Sequence, residues 1–166
     1  MDERVGEVVV VDIGSLRGHE EVISDNLAKR KKKLLSKGFY KPIIVDRSSM
    51  VILDGHHKWT AAGRLGLARV PVIMVDYLDD EGVLVDVWPN CGRDSITKTE
   101  VLEMGSSEYV FPPKTSRHTL PFEIPSISIP LAELQDWILE KMVLVSVWKR
   151  TPGVSGDENI MRPPSD

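Results

Sequence analysis

Apolar positions along this chain follow two different periods. Residues 7–13 (EVVVVDI) form a β-branched run that stops before Gly14 and Gly18, which predicts a buried strand followed by a loop. Ile23, Leu27, Leu34 and Leu35 then recur at helical spacing. Ser24 or Asp25 is placed to cap that helix and Gly38 to stop it. Pro42 opens the extended piece KPIIVD, Ser48-Ser49 supplies a turn, and MVIL (50–53) returns, predicting a short hairpin. Residues 57–65 suit a helix with Trp59, Ala62 and Leu65 on one face and Gly66 closing it. VPVIMVDY (70–77) and EGVLVDVW (81–88) predict two further strands.

The pattern weakens after residue 88, leaving a short helix expected near 97–104. Prolines 112, 113, 121, 125 and 130 forbid regular helix there and predict a stiffened loop over 112–125. Leu131, Leu134 and Ile138 suggest a helix after Pro130, while MVLVSVW (142–148) fits either its continuation or a strand. Residues 149–166 show no apolar period and are expected to be a disordered tail. The expectation is one compact α+β domain over residues 1–148.

Composition narrows the class. With 166 residues, 42% of them apolar and 28% charged, the chain is long enough to build one core without staples. Its net charge of −4 argues against a dedicated nucleic-acid binder, whose domains are usually basic. A single cysteine, Cys91, rules out an intrachain disulfide. The start, MDERVGEVVVVDIG, is acidic where a signal peptide is basic, and its apolar run is too short to span a bilayer. The expected setting is the cytoplasm, without membrane or nucleic-acid partners.

Three segments carry candidate chemistry. In ILDGHHKW (52–59), a strand feeds a helix through Asp54-Gly55, leaving free N–H groups where an anion such as phosphate binds. His56, His57 and Lys58 add donors and positive charge at that mouth. The plainer reading is that Asp54 caps the helix and the histidines are surface polar residues. In PKTSRHTLP (113–121), a lysine, an arginine, a histidine and two hydroxyls lie between prolines that limit the loop's freedom. Such a set suits a carboxylate or a phosphate. In GHEE (18–21), Glu20 lies between the first strand and first helix, where it is either a general base or a complement to the helix N-terminus. The run Lys29-Arg30-Lys31-Lys32-Lys33 reads as a solvated helix face without a catalytic role.

These segments, in this order, resemble the free serine kinases of the ParB/sulfiredoxin-like superfamily over residues 8–135. The resemblance rests on HEEV (19–22), FYKPI (39–43), ILDGHHKW (52–59), LGLARVPVIMVDY (65–77), EGVLVDVW (81–88) and FPPKTSRHTLPF (111–122). It implies a small mixed sheet with packed helices. It also implies phosphoryl transfer from a nucleotide to the hydroxyl of free L-serine, making O-phospho-L-serine for cysteine biosynthesis.

Carried over residue by residue, the resemblance makes Glu20 the base that takes the serine proton and Trp88 a residue that recognises serine. Asp54, Gly55, His56 and His57 become the phosphate-holding turn. Thr115, Arg117 and His118 become the late substrate loop, and Lys41 the lysine of the aromatic-Lys-Pro segment. The expected catalytic residues are therefore Glu20, Asp54 and His57. Gly55, His56, His57, Lys58, Arg117 and His118 are expected to hold nucleotide or phosphate, and Lys41, Trp88, Thr115, Ser116 and Arg117 to hold substrate. Mg²⁺ is expected, with Asp54 as its candidate ligand, and the assembly is a monomer or small homo-oligomer.

Lys58 stands where the family often has arginine, and residues 89–110 are shorter than in the longer ADP-using members. A compact site leaves room for a third phosphate, which favours ATP over ADP as donor. The competing readings are a ParB-like CTP or ATP switch or DNA-partition protein, and a sulfiredoxin-type reductase. The latter requires a reactive cysteine where this chain has His56.

Overall fold

The computed structural model describes residues 6–135. Six strands and three α-helices alternate along the chain: β1 (Val8–Asp12), α1 (Ser24–Lys37), β2 (Ile43–Asp46), β3 (Ile52–Asp54), α2 (His56–Arg64), β4 (Arg69–Val75), β5 (Leu84–Val87), α3 (Lys98–Gly105) and β6 (Ser116–Thr119). A 3₁₀ turn, Leu131–Leu134, closes the described part. The first four strands form one mixed sheet in the order β1-β4-β2-β3. Only the β2–β4 pair is parallel, while β5 and β6 form a separate antiparallel pair. This is the expected α+β architecture. No helix among the described residues is long and apolar enough to cross a membrane.

Strands β2 and β4 read as unbroken apolar runs because they are central and covered on both faces. Ile43 and Val45 face one core with Leu27 and Leu34 of α1 and with Ala61 and Ala62 of α2. Ile44 faces a second core with Tyr77, Val83, Val101 and Phe111. Two-sided burial therefore fixes β2 between the helical layer and the β5–β6 side, and the functional cleft lies where its neighbour β3 ends.

Three expectations need correction. The run 7–13 is an edge strand, not a buried one, and Val10 is 47% exposed. Leu35 is 63% exposed, since only Leu27 and Leu34 of α1 point into the core. The proline-bounded loop contains strand β6, since Ser116–Thr119 lie clear of Pro113 and Pro121 and pair with β5. The helix near 97–104 is present and begins with a capping box between Thr97 and Glu100. The predictions for Ile138, residues 142–148 and the tail 149–166 lie outside the described residues.

Candidate active site

Asp54 ends β3 and Gly55 turns the chain into α2 with φ +111°, a left-handed conformation that suits glycine. A Cβ there would come within 3.1 Å of Ile43 and 3.3 Å of Lys58 Cε. No side chain caps α2, so its first N–H groups remain available at the cleft. This overturns the plainer reading in which Asp54 is the cap.

The histidines are not surface ornaments either. His56 Nε2 accepts the backbone N–H of His19 at 3.1 Å, and His57 Nε2 accepts that of Ile23 at 3.0 Å. An accepting Nε2 carries no proton, so each neutral ring holds its proton on Nδ1. Burial is the main cause lowering both pKa values; neighbouring histidines add to the effect at His56, and Arg30 and Lys114 add to it at His57. The sequence predicted positive charge from these rings. They supply N–H dipoles instead, and they tie α2 to the 19–23 segment.

Glu20 sits opposite. Its Oε1 accepts the N–H of Thr115 at 2.7 Å, and its Oε2 accepts the hydroxyl of Ser116 at 3.0 Å. Burial raises its pKa, and the bonds from residues 114–116 oppose the rise. Lys114, just before Thr115, has φ +55°, a conformation that non-glycine residues adopt sparingly and that is concentrated at functional sites. Behind Glu20, His19 is fully buried, with Nε2 at 2.8 Å from Ser116 Oγ. His118 joins Tyr77 by a 2.8 Å bond between Nε2 and the phenol hydroxyl. Burial lowers His19 to about 4 and His118 to about 3, so both are neutral at pH 7.

Of these groups, Glu20, His56, His57, Lys114, Ser116 and His118 face one cleft of about 470 Å³. Every residue predicted from sequence lines it except Thr115: Glu20, Lys41, Asp54, Gly55, His56, His57, Lys58, Trp88, Ser116, Arg117 and His118. Thr115 is buried and its hydroxyl donates to Pro112 O at 2.7 Å, so it acts on the cleft through its backbone. Trp88 Nε1 donates to Ser116 O at 3.1 Å, and the Arg117 guanidinium lies 5.1 Å from the Trp88 ring. Lys58 is buried with Nζ donating to Pro42 O at 3.3 Å. Desolvation lowers it to about 8, with Asp54 opposing and nearby cations assisting.

Sequence reasoning missed Arg30, Lys33 and Tyr40, and it assigned no particular role to Glu21 and Lys114 within the segments it singled out; all five line the cleft. Arg30 and Lys33 belong to the basic run read as solvated. Their separation of three residues on a helix, followed by Tyr40, is the signal that could have singled them out. No group of three or more His, Cys, Asp or Glu side chains among the described residues could hold a metal. Mg²⁺ at phosphoryl-transfer sites is usually held by one or two carboxylates together with substrate phosphates. Asp54, exposed on the cleft wall, offers an oxygen of that kind.

The fold is that of the free serine kinases and of SbnI. A free serine kinase in complex with AMP superposes with a TM-score of 0.69 at 19% identity, covering 81% of this chain and 98% of that one. C-terminally truncated SbnI from Staphylococcus aureus gives 0.63 at 12% identity, covering 82% and 93%.

In sequence, the chain is 37% identical over 97 residues to an ATP-dependent L-serine kinase of Staphylothermus marinus, covering 55% of this chain and 38% of the relative. It is 47% identical over 73 residues to a ParB-like protein of Sulfolobus acidocaldarius, covering 44% and 36%. The ADP-dependent L-serine kinase SerK of Thermococcus kodakarensis is 28% identical over 87 residues, covering 49% and 36%. The chain thus matches little more than a third of the length of these curated relatives. No protein-family model matches it.

Proposed function

We propose that this chain is a free L-serine kinase, transferring the terminal phosphoryl group of a nucleotide to the serine hydroxyl. The observation that carries the proposal is Glu20, a carboxylate with a raised pKa, held by Thr115 and Ser116 on the same cleft as the uncapped start of α2. Phosphoryl transfer asks for positioning and charge stabilisation more than for covalent help. Glu20 takes the hydroxyl proton as the serine oxygen bonds to phosphorus and the bridging P–O bond breaks. The products are O-phospho-L-serine and the shortened nucleotide.

The free N–H groups of α2, with Lys58, Lys114 and Arg117, stabilise the moving charge. The neutral His57 donates from Nδ1. Ser116, engaged with Glu20 and His19, serves the substrate through the base. Trp88 and Arg117 form the wall against which the serine amino and carboxylate groups are held. Asp54 would hold Mg²⁺, which would supply further charge neutralisation. ATP is the donor favoured by the compact 89–110 segment. The product carries a phosphate leaving group, as the displacement chemistry of cysteine synthesis requires.

The similarity to a ParB-like protein favours a second reading, a nucleotide-binding switch without turnover. Incubation with ATP, Mg²⁺ and isotopically labelled L-serine, followed by mass spectrometry, separates the two. Labelled phosphoserine supports the kinase. Nucleotide binding without phosphoserine, in a folded protein, supports the switch. Parallel reactions with L-homoserine and L-threonine define the acceptor, since a methylene more or less changes selectivity by only about 1–3 kcal/mol.

A further inference from the structure

Beside Lys58, the cleft gathers two cations of α1, Arg30 and Lys33, that the transfer chemistry above does not use. Of the basic run 29–33, Lys29, Lys31 and Lys32 are exposed and do not line the cleft, while Arg30 and Lys33 do. Both converge on Tyr40: Arg30 donates to the phenol oxygen at 3.4 Å, and Lys33 Nζ lies 4.2 Å from the ring centroid. Lys58 Nζ reaches the same ring from α2, at 5.9 Å.

Three cations therefore surround one aromatic ring, and none of them forms an ion pair with a carboxylate among the described residues. Like charges gathered without a paired carboxylate repel one another, and Asp54 offsets this only at Lys58. At Lys58, burial is the main cause of the lowered pKa and Asp54 opposes it, while Arg30, Lys41 and Lys33 each add to it. A polyanion relieves that repulsion.

We propose that Arg30, Lys33 and Lys58, gathered around Tyr40, form a polyphosphate subsite that takes the part of the donor chain which is not transferred. This rests on the kinase reading and refines its donor. If the transferred phosphoryl is fixed beside Glu20 at the start of α2, ADP leaves one phosphate to extend toward these cations and ATP leaves two. The cation cluster then discriminates in favour of the triphosphate.

The test is equilibrium binding by calorimetry, without serine, of ATP, ADP and inorganic tripolyphosphate to the full chain. Wild type is compared with Arg30→Gln, Lys33→Gln and the double variant. Both side chains point away from the core, so the double variant is expected to melt as wild type does. The proposal expects it to weaken ATP and tripolyphosphate about tenfold or more, with a smaller effect on ADP. Unchanged ATP and tripolyphosphate affinities, or an equal loss for ATP and ADP, would overturn it.

Binding of tripolyphosphate that depends on Arg30 and Lys33, in a protein that makes no phosphoserine, would sustain the subsite and remove the kinase. Phosphoserine formation with donor affinities indifferent to both residues would do the reverse.

Discussion

The Glu20 carboxylate accepts the backbone N–H of Thr115 at 2.7 Å, joining two positions 95 residues apart. That bond fastens the segment after β1 to the loop before β6, with Ser116 reinforcing it from the next position. The same two segments meet again where Glu21 donates its N–H to Phe111 O and Phe111 returns its own to His19 O. The Glu20 carboxylate and the segment that carries it are thus held from both sides.

Glu20→Gln keeps the shape and most of the hydrogen bonding but cannot accept the hydroxyl proton. A positioned base contributes about 10²–10⁴-fold, so kcat falls by that order while nucleotide affinity and melting temperature stay near wild type. Steady-state kinetics beside calorimetry check this. A variant with near-full kcat removes Glu20 from the mechanism.

Ser116→Ala deletes a bond that favours the charged carboxylate. Burial raises the Glu20 pKa and the Ser116 hydroxyl holds it down, so losing that hydroxyl raises it further. Since the base must be deprotonated, the acidic limb of the kcat profile moves to higher pH. The variant loses more activity at pH 6 than at pH 8. A pH–rate profile with an unmoved acidic limb contradicts the role assigned to this bond.

His19 and His118 set the stability of the fold in acid. Both folded-state pKa values lie below the ordinary 6.5, at about 4 and about 3, chiefly through burial. The stability of the neutral rings is fully present above pH 6.5 and is lost as pH falls toward 3–4. Each unit of depression corresponds to about 1.4 kcal/mol. The melting temperature is expected to drop steeply between pH 6.5 and 4, and His118→Gln to flatten that slope. A melting temperature constant over this interval refutes the assignment.

Gly55→Ala tests the phosphate turn. With φ at +111° and Ile43 and Lys58 already close, the added methyl is strained by roughly 1–3 kcal/mol. Lower melting temperature together with weaker nucleotide binding is expected. Unchanged values of both would show that the turn tolerates a side chain.

How much of this was readable in sequence depended on how local the signal was. Strands β2 and β4 were legible because two-sided burial writes continuous apolar runs, and α2 because Asp54-Gly55 and Gly66 punctuate it. The edge position of β1 was hidden, since Val8–Val11 look the same whether one face or two are covered. Strand β6 was masked by its flanking prolines, although Ser116–Thr119 themselves contain none. The candidate site residues lay in short motifs, and all but Thr115 line one cleft. Thr115 does not line it, because its backbone N–H, not its hydroxyl, meets Glu20. Arg30 and Lys33 were missed because a charge run becomes a site only when the helix beneath it packs beside α2 and Tyr40.

The most direct measurement is phosphorus NMR of wild type and Glu20→Gln at pH 7 with Mg²⁺ and L-serine, given ATP or ADP in separate samples. The account predicts a phosphoserine resonance from wild type, stronger with ATP than with ADP, and little or none from the variant. No phosphoserine from folded wild-type protein with either donor would contradict it.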